Sequence, residues 1–219
     1  MLPDWLKKGF IALFQPLVGA FTRLRVRPNW LTTAGFVFSV AAGALFATGH
    51  FCWGGLVALA AAACDTIDGS LARRSGTVTT FGQFYDSFLD RYSELAVFIG
   101  LSYYYAHNLG RDGRPQVLQE VLTDVALAGS LMVSYARARA EGLGIDCKVG
   151  IMERPERLTV VIAGALLYSI FDAALGHRHN LHWIFTAALW ILAVLTNVTA
   201  VQRAAHVWRR TTGAKSGGS

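Results

Sequence analysis

The chain has 219 residues, of which 53% are hydrophobic and only 16% are charged, and its formal net charge is +6. Soluble domains carry about 25% charged residues, so this composition argues against an ordinary soluble enzyme. The deficit of charge extends along the chain, and no soluble domain remains once the apolar runs are removed. We therefore expect one polytopic membrane domain whose surroundings are the lipid bilayer, and no nucleic acid as a partner.

Residues 1–27 are predicted to form a juxtamembrane amphipathic helix. Apolar residues such as Trp5, Leu6 and Phe10 recur at helical spacing, with two lysines on the other face. A helix of this kind lies in the membrane interface, and a solvated helix packed on the domain is the alternative. Charges are distributed along the segment and no small-residue cleavage site follows, so we expect no cleavable signal peptide.

Residues 28–210 contain six apolar runs, each near the roughly 20 residues that a helix needs to cross a bilayer. The predicted spans are Leu31–Gly49, Trp53–Arg73, Phe81–Asn108, Val117–Ala140, Leu158–Leu175 and Leu181–Val207. The third is apolar only from Leu95 onward, so its first two turns should leave the hydrocarbon or line a cavity. Residues 211–219 are predicted to be a flexible tail. The predicted fold is all-α and integral to the membrane, with six transmembrane helices after the interfacial helix.

The basic residues favour one orientation of these spans. With the N-terminus inside and six crossings, all of the 20 lysines and arginines except Arg111, Arg114 and Arg178 lie on the cytoplasmic side. Cytoplasmic loops of membrane proteins carry such an excess. We therefore expect both termini and the functional site to face the cytoplasm, in a prokaryotic cytoplasmic membrane, where the positive charge would attract anionic lipids and substrates.

Four aspartates lie within or between the second and third spans, in the pattern D-x2-D-G-x2-A-R-x8-G-x3-D-x3-D. Asp65 and Asp68 are three residues apart and Asp86 and Asp90 are four apart, so each pair shares a helix face. A short turn over residues 74–80 would bring the two pairs together. An ionisable residue inside a membrane indicates a functional site by default.

Converging carboxylates predict a metal site. Without cations four carboxylates would repel one another, and oxygen ligands suit Mg²⁺, Mn²⁺ or Ca²⁺ better than zinc. Two such ions about 4 Å apart are the arrangement used for displacement at phosphorus. The alternative is a set of helix-end carboxylates paired with Arg73, Arg74 and Arg91. That alternative would explain any single aspartate well, but it explains poorly why four aspartates and two glycines occur together in this spacing.

This pattern resembles the signature of the CDP-alcohol phosphotransferase family. Every fixed position matches, namely Asp65, Asp68, Gly69, Ala72, Arg73, Gly82, Asp86 and Asp90. The resemblance covers the six-helix domain, residues 28–210. It implies an enzyme that transfers the phosphatidyl group of a CDP-linked lipid, usually CDP-diacylglycerol, to an alcohol hydroxyl and releases CMP. It also implies a homodimer.

The resemblance also assigns roles to residues. Asp65, Asp68, Asp86 and Asp90 would hold two Mg²⁺ or Mn²⁺ ions, and Asp90 would also be the general base that takes the proton of the acceptor hydroxyl. The CDP moiety would be bound by Asn29, Thr32, Asp65, Gly69, Ala72, Arg73 and Gly82. Asn29 and Thr32 belong to a P-N-x-x-T element that opens the first span, where Asn29 is also explained as a helix cap.

Arginines downstream of the motif suit an acceptor that carries a phosphate. The stretches 134–141 and 150–157 resemble phosphatidylinositol phosphate synthases, which use inositol 1-phosphate. That resemblance assigns the acceptor phosphate to Ser134, Arg137, Arg154, Arg157 and Arg203. The sequence departs from that group at Arg137, where lysine is common, and at Pro155. The alternative reading of these arginines is a set of helix-end anchors paired with nearby glutamates.

Other functions remain as alternatives. Glycerol 3-phosphate is the nearest rival acceptor, because it is also a phosphate ester. A cation transporter could use the acidic cluster, but such sites lie near the midplane between paired, broken helices, and this sequence has no internal repeat. A structural scaffold is a third alternative, and it leaves the clustered carboxylates without a role.

Overall fold

The computed structural model describes residues 4–110, 113–175 and 182–213, and these residues form an all-helical protein. The helices are α1 (Asp4–Arg23), α2 (Pro28–Ala47), α3 (Phe51–Ser75), α4 (Thr80–His107), α5 (Val117–Gly142), α6 (Arg154–Ala174) and α7 (His182–Gly213). Within the described residues the only β-type pairing is an isolated bridge between Leu109 and Pro115. The predicted all-α class is confirmed.

Five helices, α2, α3, α5, α6 and α7, are long and apolar enough to cross a membrane. The chain is therefore an all-α membrane protein. Helix α4 has 28 residues and at 1.5 Å per residue is roughly 42 Å long, which is also sufficient for a crossing. Its first 15 residues include Asp86, Asp90, Arg91 and Glu94, and this polarity distinguishes α4 from the other five helices.

The structure describes the two ends of the chain to different extents. Helix α1 forms as predicted, but the side chains of Trp5, Leu6 and Phe10 lie outside the described part, so its amphipathic placement stays a prediction. At the other end α7 continues to Gly213, three residues into the predicted tail. Residues 214–219 and Leu181, the predicted start of the last span, lie outside the described residues.

The start of α2 differs from the prediction in one respect. The N-cap is Arg27, in an extended conformation without a side-chain cap bond, and Pro28 occupies the first turn. Pro at that position is favourable because its missing N–H has no partner in a helix anyway. Asn29 is therefore not the cap, and its side chain is not used for capping.

A four-residue turn connects α3 to α4 as the spacing of the aspartates requires. Helix α3 ends at Ser75 and is capped by Gly76, whose φ of 65° is left-handed and therefore suits glycine at a helix C-terminus. Helix α4 starts after Thr79, whose side chain accepts a hydrogen bond from the Gly82 amide at 3.0 Å. The two helices run antiparallel, so the end of α3 faces the start of α4.

The helix bundle has an apolar end and a polar end. Helix α2 packs against both α3 and α4, α5 packs against α7, and α6 packs against α3 and α7. Around the first residues of α3 an aromatic cluster joins Phe46, Phe51, Tyr104, Tyr168 and Phe185. The opposite end gathers the last turns of α3, α5 and α7 with the first turns of α2, α4 and α6, and there the charged residues of the motif lie.

Candidate active site

Three of the four motif aspartates converge at the polar end of the bundle. Asp65 and Asp68 on α3 and Asp86 on α4 each offer a carboxylate oxygen, and these oxygens lie within 4.8 Å of one another. Asp68 is 5% exposed, and its Oδ2 accepts a 2.7 Å hydrogen bond from Thr32 Oγ1. The antiparallel helix pair thus brings together the acids that the sequence spaces one turn apart.

This cluster fits a divalent cation. Asp86 Oδ1 is buried and has no hydrogen-bond partner. Buried charges in proteins are normally paired or coordinate metals, so an unpartnered oxygen beside two further carboxylates needs a cation. All candidate ligand atoms are oxygens, which are the ligands that Mg²⁺ and Mn²⁺ prefer.

Asp90 lies apart from that trio and is held by Arg154. The Arg154 Nη2 atom is 2.7 Å from Asp90 Oδ1, and its Nη1 atom is 2.8 Å from Asp65 Oδ1. Arg154 is the first residue of α6, so this one guanidinium connects α6 to both α3 and α4. The arginine that pairs with the aspartates is therefore Arg154, not the Arg73, Arg74 and Arg91 of the alternative reading.

The residues predicted for CDP lie along the contact of α2 with α3 and α4. A Cβ atom at Gly82 would be 3.5 Å from Asn29 Oδ1, and one at Gly69 would be 3.5 Å from Arg73 Nη1. The two glycines thus lie beside the Asn29 and Arg73 side chains, and the tightest neighbour of a Cβ at Gly82 is Thr79 Oγ1 at 3.0 Å. Ala72 lies one turn after Asp68 on the same face of α3 and is half-buried.

A cavity of about 710 Å³ opens beside Asp90. Its walls come from α4, the last turns of α5, the start of α6 and the end of α7. All five residues predicted for the acceptor phosphate line it, namely Ser134, Arg137, Arg154, Arg157 and Arg203. The structure therefore brings this predicted set together and places it next to the predicted base.

Two of these arginines are held by the protein itself. Arg157 forms a bidentate pair with Glu94, and its side chain is 1% exposed. Arg203 donates from Nε to the Val149 carbonyl at 2.8 Å and from Nη1 to the Val133 carbonyl at 2.7 Å. Because their donors are engaged, Arg157 and Arg203 form the cavity wall more than they face its interior.

Arg137 is the most open of the predicted acceptor residues. Its side chain is 42% exposed and pairs with Glu141 one turn later on α5, at 2.8 Å. This contact is the one that the helix-anchor alternative describes. An exposed pair of this kind is weak, typically below about 1 kcal/mol, so Arg137 can exchange its partner for a phosphate at little cost.

Sequence reasoning missed two residues of this cavity region. Arg91 lines the cavity and donates a hydrogen bond to Ser134, although the sequence analysis weighed it only as a partner for an aspartate. Glu94, one turn after Asp90, binds Arg157 and lies 3.9 Å from Arg91. The available signal was the spacing: Asp86, Asp90 and Glu94 recur every four residues on α4.

Comparison with known families agrees with this geometry. The family model described as CDP-alcohol phosphatidyltransferase matches residues 25–203, which include the acidic cluster, Asp90 and the cavity. The chain belongs to this family of membrane transferases.

Among individual proteins, the chain is similar to inositol phosphate lipid synthases. It is 37% identical to the phosphatidylinositol phosphate synthase of Mycobacteroides abscessus, over 95% of this chain and 89% of that one. It is 35% identical to the archaetidylinositol phosphate synthase of Methanothermobacter thermautotrophicus, over 95% and 99% of the two chains.

A solved structure extends the similarity to the fold. The crystal structure of the Mycobacterium tuberculosis phosphatidylinositol phosphate synthase with CDP-DAG bound has a TM-score of 0.76 and 34% identity, covering 88% of this chain and 92% of that one. The same enzyme has been crystallised in complex with manganese and citrate. The likeness therefore extends over most of the chain.

Proposed function

We propose that this chain transfers the phosphatidyl group of CDP-diacylglycerol to a hydroxyl of inositol 1-phosphate and releases CMP. The observation that carries the proposal is the cavity beside Asp90, which combines a carboxylate with several arginines. A phosphorylated acceptor needs that combination, because its phosphate requires cations and its hydroxyl requires a base. The naming of the relatives supports the same donor and acceptor.

Asp65, Asp68 and Asp86, with Asp90 at the edge of the cluster, are the residues that we assign to two Mg²⁺ or Mn²⁺ ions. The ions would supply neutralisation of the pyrophosphate and polarisation of the phosphorus under attack. Thr32 orients Asp68 through its hydrogen bond. Asn29, Gly69, Ala72, Arg73 and Gly82 are assigned to the cytidine nucleotide.

Asp90 is assigned the role of general base. In the proposed step it takes the proton of the acceptor hydroxyl while the new oxygen–phosphorus bond forms and the bond to the CMP oxygen breaks. Arg137, Arg154 and Ser134 bind the acceptor phosphate. Arg157 and Arg203 form the wall of the cavity behind them. Positioned proton transfer of this kind contributes about 10²–10⁴-fold to a rate.

The membrane arrangement is part of the same proposal. Helix α1 lies in the interface, and residues 28–210 form the six-span domain with α4 as the third crossing. The polar end of the bundle then faces the cytoplasm, where CDP-lipids and soluble acceptors meet. Placement of the acids at one end of the bundle favours transfer over transport, since a transport site belongs near the midplane. From the family resemblance we also propose that the protein forms a homodimer.

The test is CMP release by the purified protein with Mn²⁺ and CDP-diacylglycerol, using inositol 1-phosphate, glycerol 3-phosphate, inositol and serine in turn. We expect inositol 1-phosphate to give the highest kcat/KM. An ether-linked CDP-lipid is the second donor to try, because one relative is an archaetidyl synthase. A preference for glycerol 3-phosphate would overturn the acceptor assignment, and a failure to release CMP with every acceptor would overturn the reaction.

Asp90→Asn tests the base within the same assay. The amide has nearly the same shape but cannot take a proton, so we expect CMP release to fall by about 10²–10⁴-fold. Asp124→Asn is the matched control, because Asp124 is a carboxylate on α5 that accepts a hydrogen bond from Ser102, in the other half of the bundle. Full CMP release by Asp90→Asn would contradict the assignment.

A further inference from the structure

Glu94 is a buried carboxylate to which the proposed reaction gives no role. It lies on α4 one turn after Asp90, and its side chain is 2% exposed. Both of its oxygens accept hydrogen bonds from Arg157, at 2.6 Å from Nε to Oε1 and 3.1 Å from Nη2 to Oε2. Charged residues inside a membrane bundle are costly and are usually functional, so this pair needs an explanation.

Arg157 transmits this constraint to the start of α6. Its Nη1 atom donates to the Met152 carbonyl at 3.2 Å, and its backbone N–H donates to the Glu153 carbonyl at 3.1 Å. Arg154 lies three residues earlier and therefore on the same face of the helix. A fixed Arg157 guanidinium consequently sets the rotation of α6 and the direction in which Arg154 extends towards Asp90.

Glu94 also acts on the opposite wall of the cavity. Its Oε2 atom is 3.9 Å from Arg91 Nη1, and Arg91 donates to the Ser134 hydroxyl on α5. One carboxylate on α4 is thus linked to α6 through Arg157 and to α5 through Arg91. These two helices carry Arg154 and Arg137, the residues that we assign to the acceptor phosphate.

We propose that Glu94 is a positioning residue for the acceptor site. By neutralising Arg157 and Arg91 and fixing their orientation, it sets the distance between Arg154 and Arg137 across the cavity. It touches neither the reacting atoms nor the nucleotide. The inference rests on the proposed function for the identity of the acceptor, but it concerns any phosphate bound in this cavity.

Glu94→Gln is the first test. Glutamine has the same length but no charge, and its amide presents N–H groups to arginine donors that need acceptors. We expect the KM for inositol 1-phosphate to rise about tenfold or more, with the KM for CDP-diacylglycerol within about twofold of wild type. Glu94→Asp retains the charge on a shorter side chain, so its KM for inositol 1-phosphate should lie between those of wild type and Glu94→Gln. Asp124→Asn should leave both constants unchanged.

A double variant separates positioning from simple stabilisation. Breaking a buried ion pair is strongly destabilising, whereas replacing both partners is often tolerated. The tolerated case is replacement by apolar residues of similar volume, so we expect Glu94→Leu with Arg157→Met to recover the melting temperature in detergent but to keep the raised acceptor KM. Recovery of both would show that Glu94 acts only on stability, and would overturn the proposal. An equal rise in both KM values for Glu94→Gln would overturn it as well.

Inorganic phosphate gives a readout that does not depend on turnover. Wild-type protein should gain thermal stability with added phosphate, Asp124→Asn should gain as much, and Glu94→Gln should need about tenfold more phosphate. This arm distinguishes the two proposals. If wild type binds phosphate but releases no CMP with any acceptor, the proposed function is wrong while Glu94 is still judged by phosphate binding. Equal phosphate binding by wild type and Glu94→Gln would overturn the role of Glu94.

Discussion

The hydroxyl of Thr32 holds Asp68 in the acidic cluster. Its hydrogen bond to Oδ2 is 2.7 Å long and buried, and the side chain comes from α2, a different helix from either carboxylate pair. Groups that orient a metal ligand typically change metal affinity by 10–100-fold when removed. We therefore predict that Thr32 supports the proposed metal site, in addition to the nucleotide site for which the resemblance selected it.

The Thr32→Val variant tests this role. Valine keeps the shape of threonine but cannot donate to Asp68, so we expect the Mn²⁺ concentration for half-maximal activity to rise about tenfold or more. The measurement is a Mn²⁺ titration of CMP release. Thr33→Val is the control, because Thr33 hydrogen-bonds Tyr85 instead of an aspartate. An unchanged Mn²⁺ dependence in Thr32→Val would contradict the assignment.

Arg154 provides a second prediction at the scale of one residue. Its planar guanidinium reaches Asp65 and Asp90 at once, which a lysine ammonium on a flexible stem cannot reproduce. Because a small misplacement of a positioning group can lower a rate about 10²-fold, we expect Arg154→Lys to lower kcat/KM for the acceptor by about that factor. Arg139→Lys serves as the control, since Arg139 is an exposed arginine near the end of α5, another helix that lines the cavity. Equal kinetics in the two variants would argue against a bridging role.

The sequence predicts the residues of this site better than their contacts. Spacing alone indicates that Asp65, Asp68 and Asp86 converge, because helical periodicity places them on facing surfaces. It does not indicate that Arg157 is bound by Glu94, since the partner is 63 residues away and belongs to another helix. Which arginine faces a ligand and which one supports a wall depends on tertiary packing, and no local pattern encodes that choice.

At the scale of helices, the crossing of α2 and α4 depends on two glycines. A Cβ atom at Gly100 would overlap the carbonyl oxygen of Gly43, and one at Gly43 would overlap the carbonyl oxygen of Ala96. Small residues allow helix backbones to approach this closely in membranes. The contact matters for the site because α2 carries Thr32 and α4 carries Asp86 and Asp90.

Gly100→Ala should therefore separate α2 from α4. The added methyl meets backbone, which cannot rotate away, so we expect a loss of about 1–3 kcal/mol in stability and reduced activity with it. The measurement is the melting temperature in detergent, followed by CMP release. Gly142→Ala is the control, since a Cβ there meets nothing within 4 Å. A melting temperature for Gly100→Ala equal to that of the control would contradict this account.

The connection between α5 and α6 is fixed by one face of α7. Thr199 accepts a hydrogen bond from the Met152 amide at 3.0 Å, and Arg203 donates to the Val149 carbonyl at 2.8 Å. His206 lies 3.1 Å from the Asp146 carbonyl oxygen. Irregular backbone near a membrane needs such partners for its polar groups. The sequence predicts Arg203 as a phosphate-binding cation, but it does not predict that Arg203 donates a hydrogen bond to the α5–α6 connection.

Helix boundaries show the same limit. The six apolar runs predict helices α2 to α7 because length and hydropathy are local properties. The cap at Arg27 was missed, since Asn29 is the better cap by propensity. Pro28 is favourable in the first turn, and the cap therefore lies two residues earlier than predicted. Helix α4 is the hardest to assign, because its polar half is stabilised by neighbours that hydropathy does not include.

At the scale of the molecule, the placement of α4 decides the topology. If α4 crosses, the turn before it and the loop after it lie on opposite sides of the membrane. We expect Val78→Cys to be protected from a membrane-impermeant maleimide in intact cells and Leu109→Cys to be labelled, in a background without native cysteines. Both positions are at least half exposed. Equal labelling of the two would contradict six crossings, and labelling of both after lysis controls for accessibility.

Arg154 lies between two cavities of the molecule. It lines the small cavity that contains Asp65 and Asp68, and it also lines the larger cavity beside Ser134. A ligand in one cavity that accepts hydrogen bonds from the Arg154 guanidinium changes which donors remain for a ligand in the other cavity. Such linkage is reciprocal, so a donor and an acceptor that both use Arg154 would change each other's affinity by the same factor. The free energy of binding the two together would then differ from the sum of their separate binding free energies.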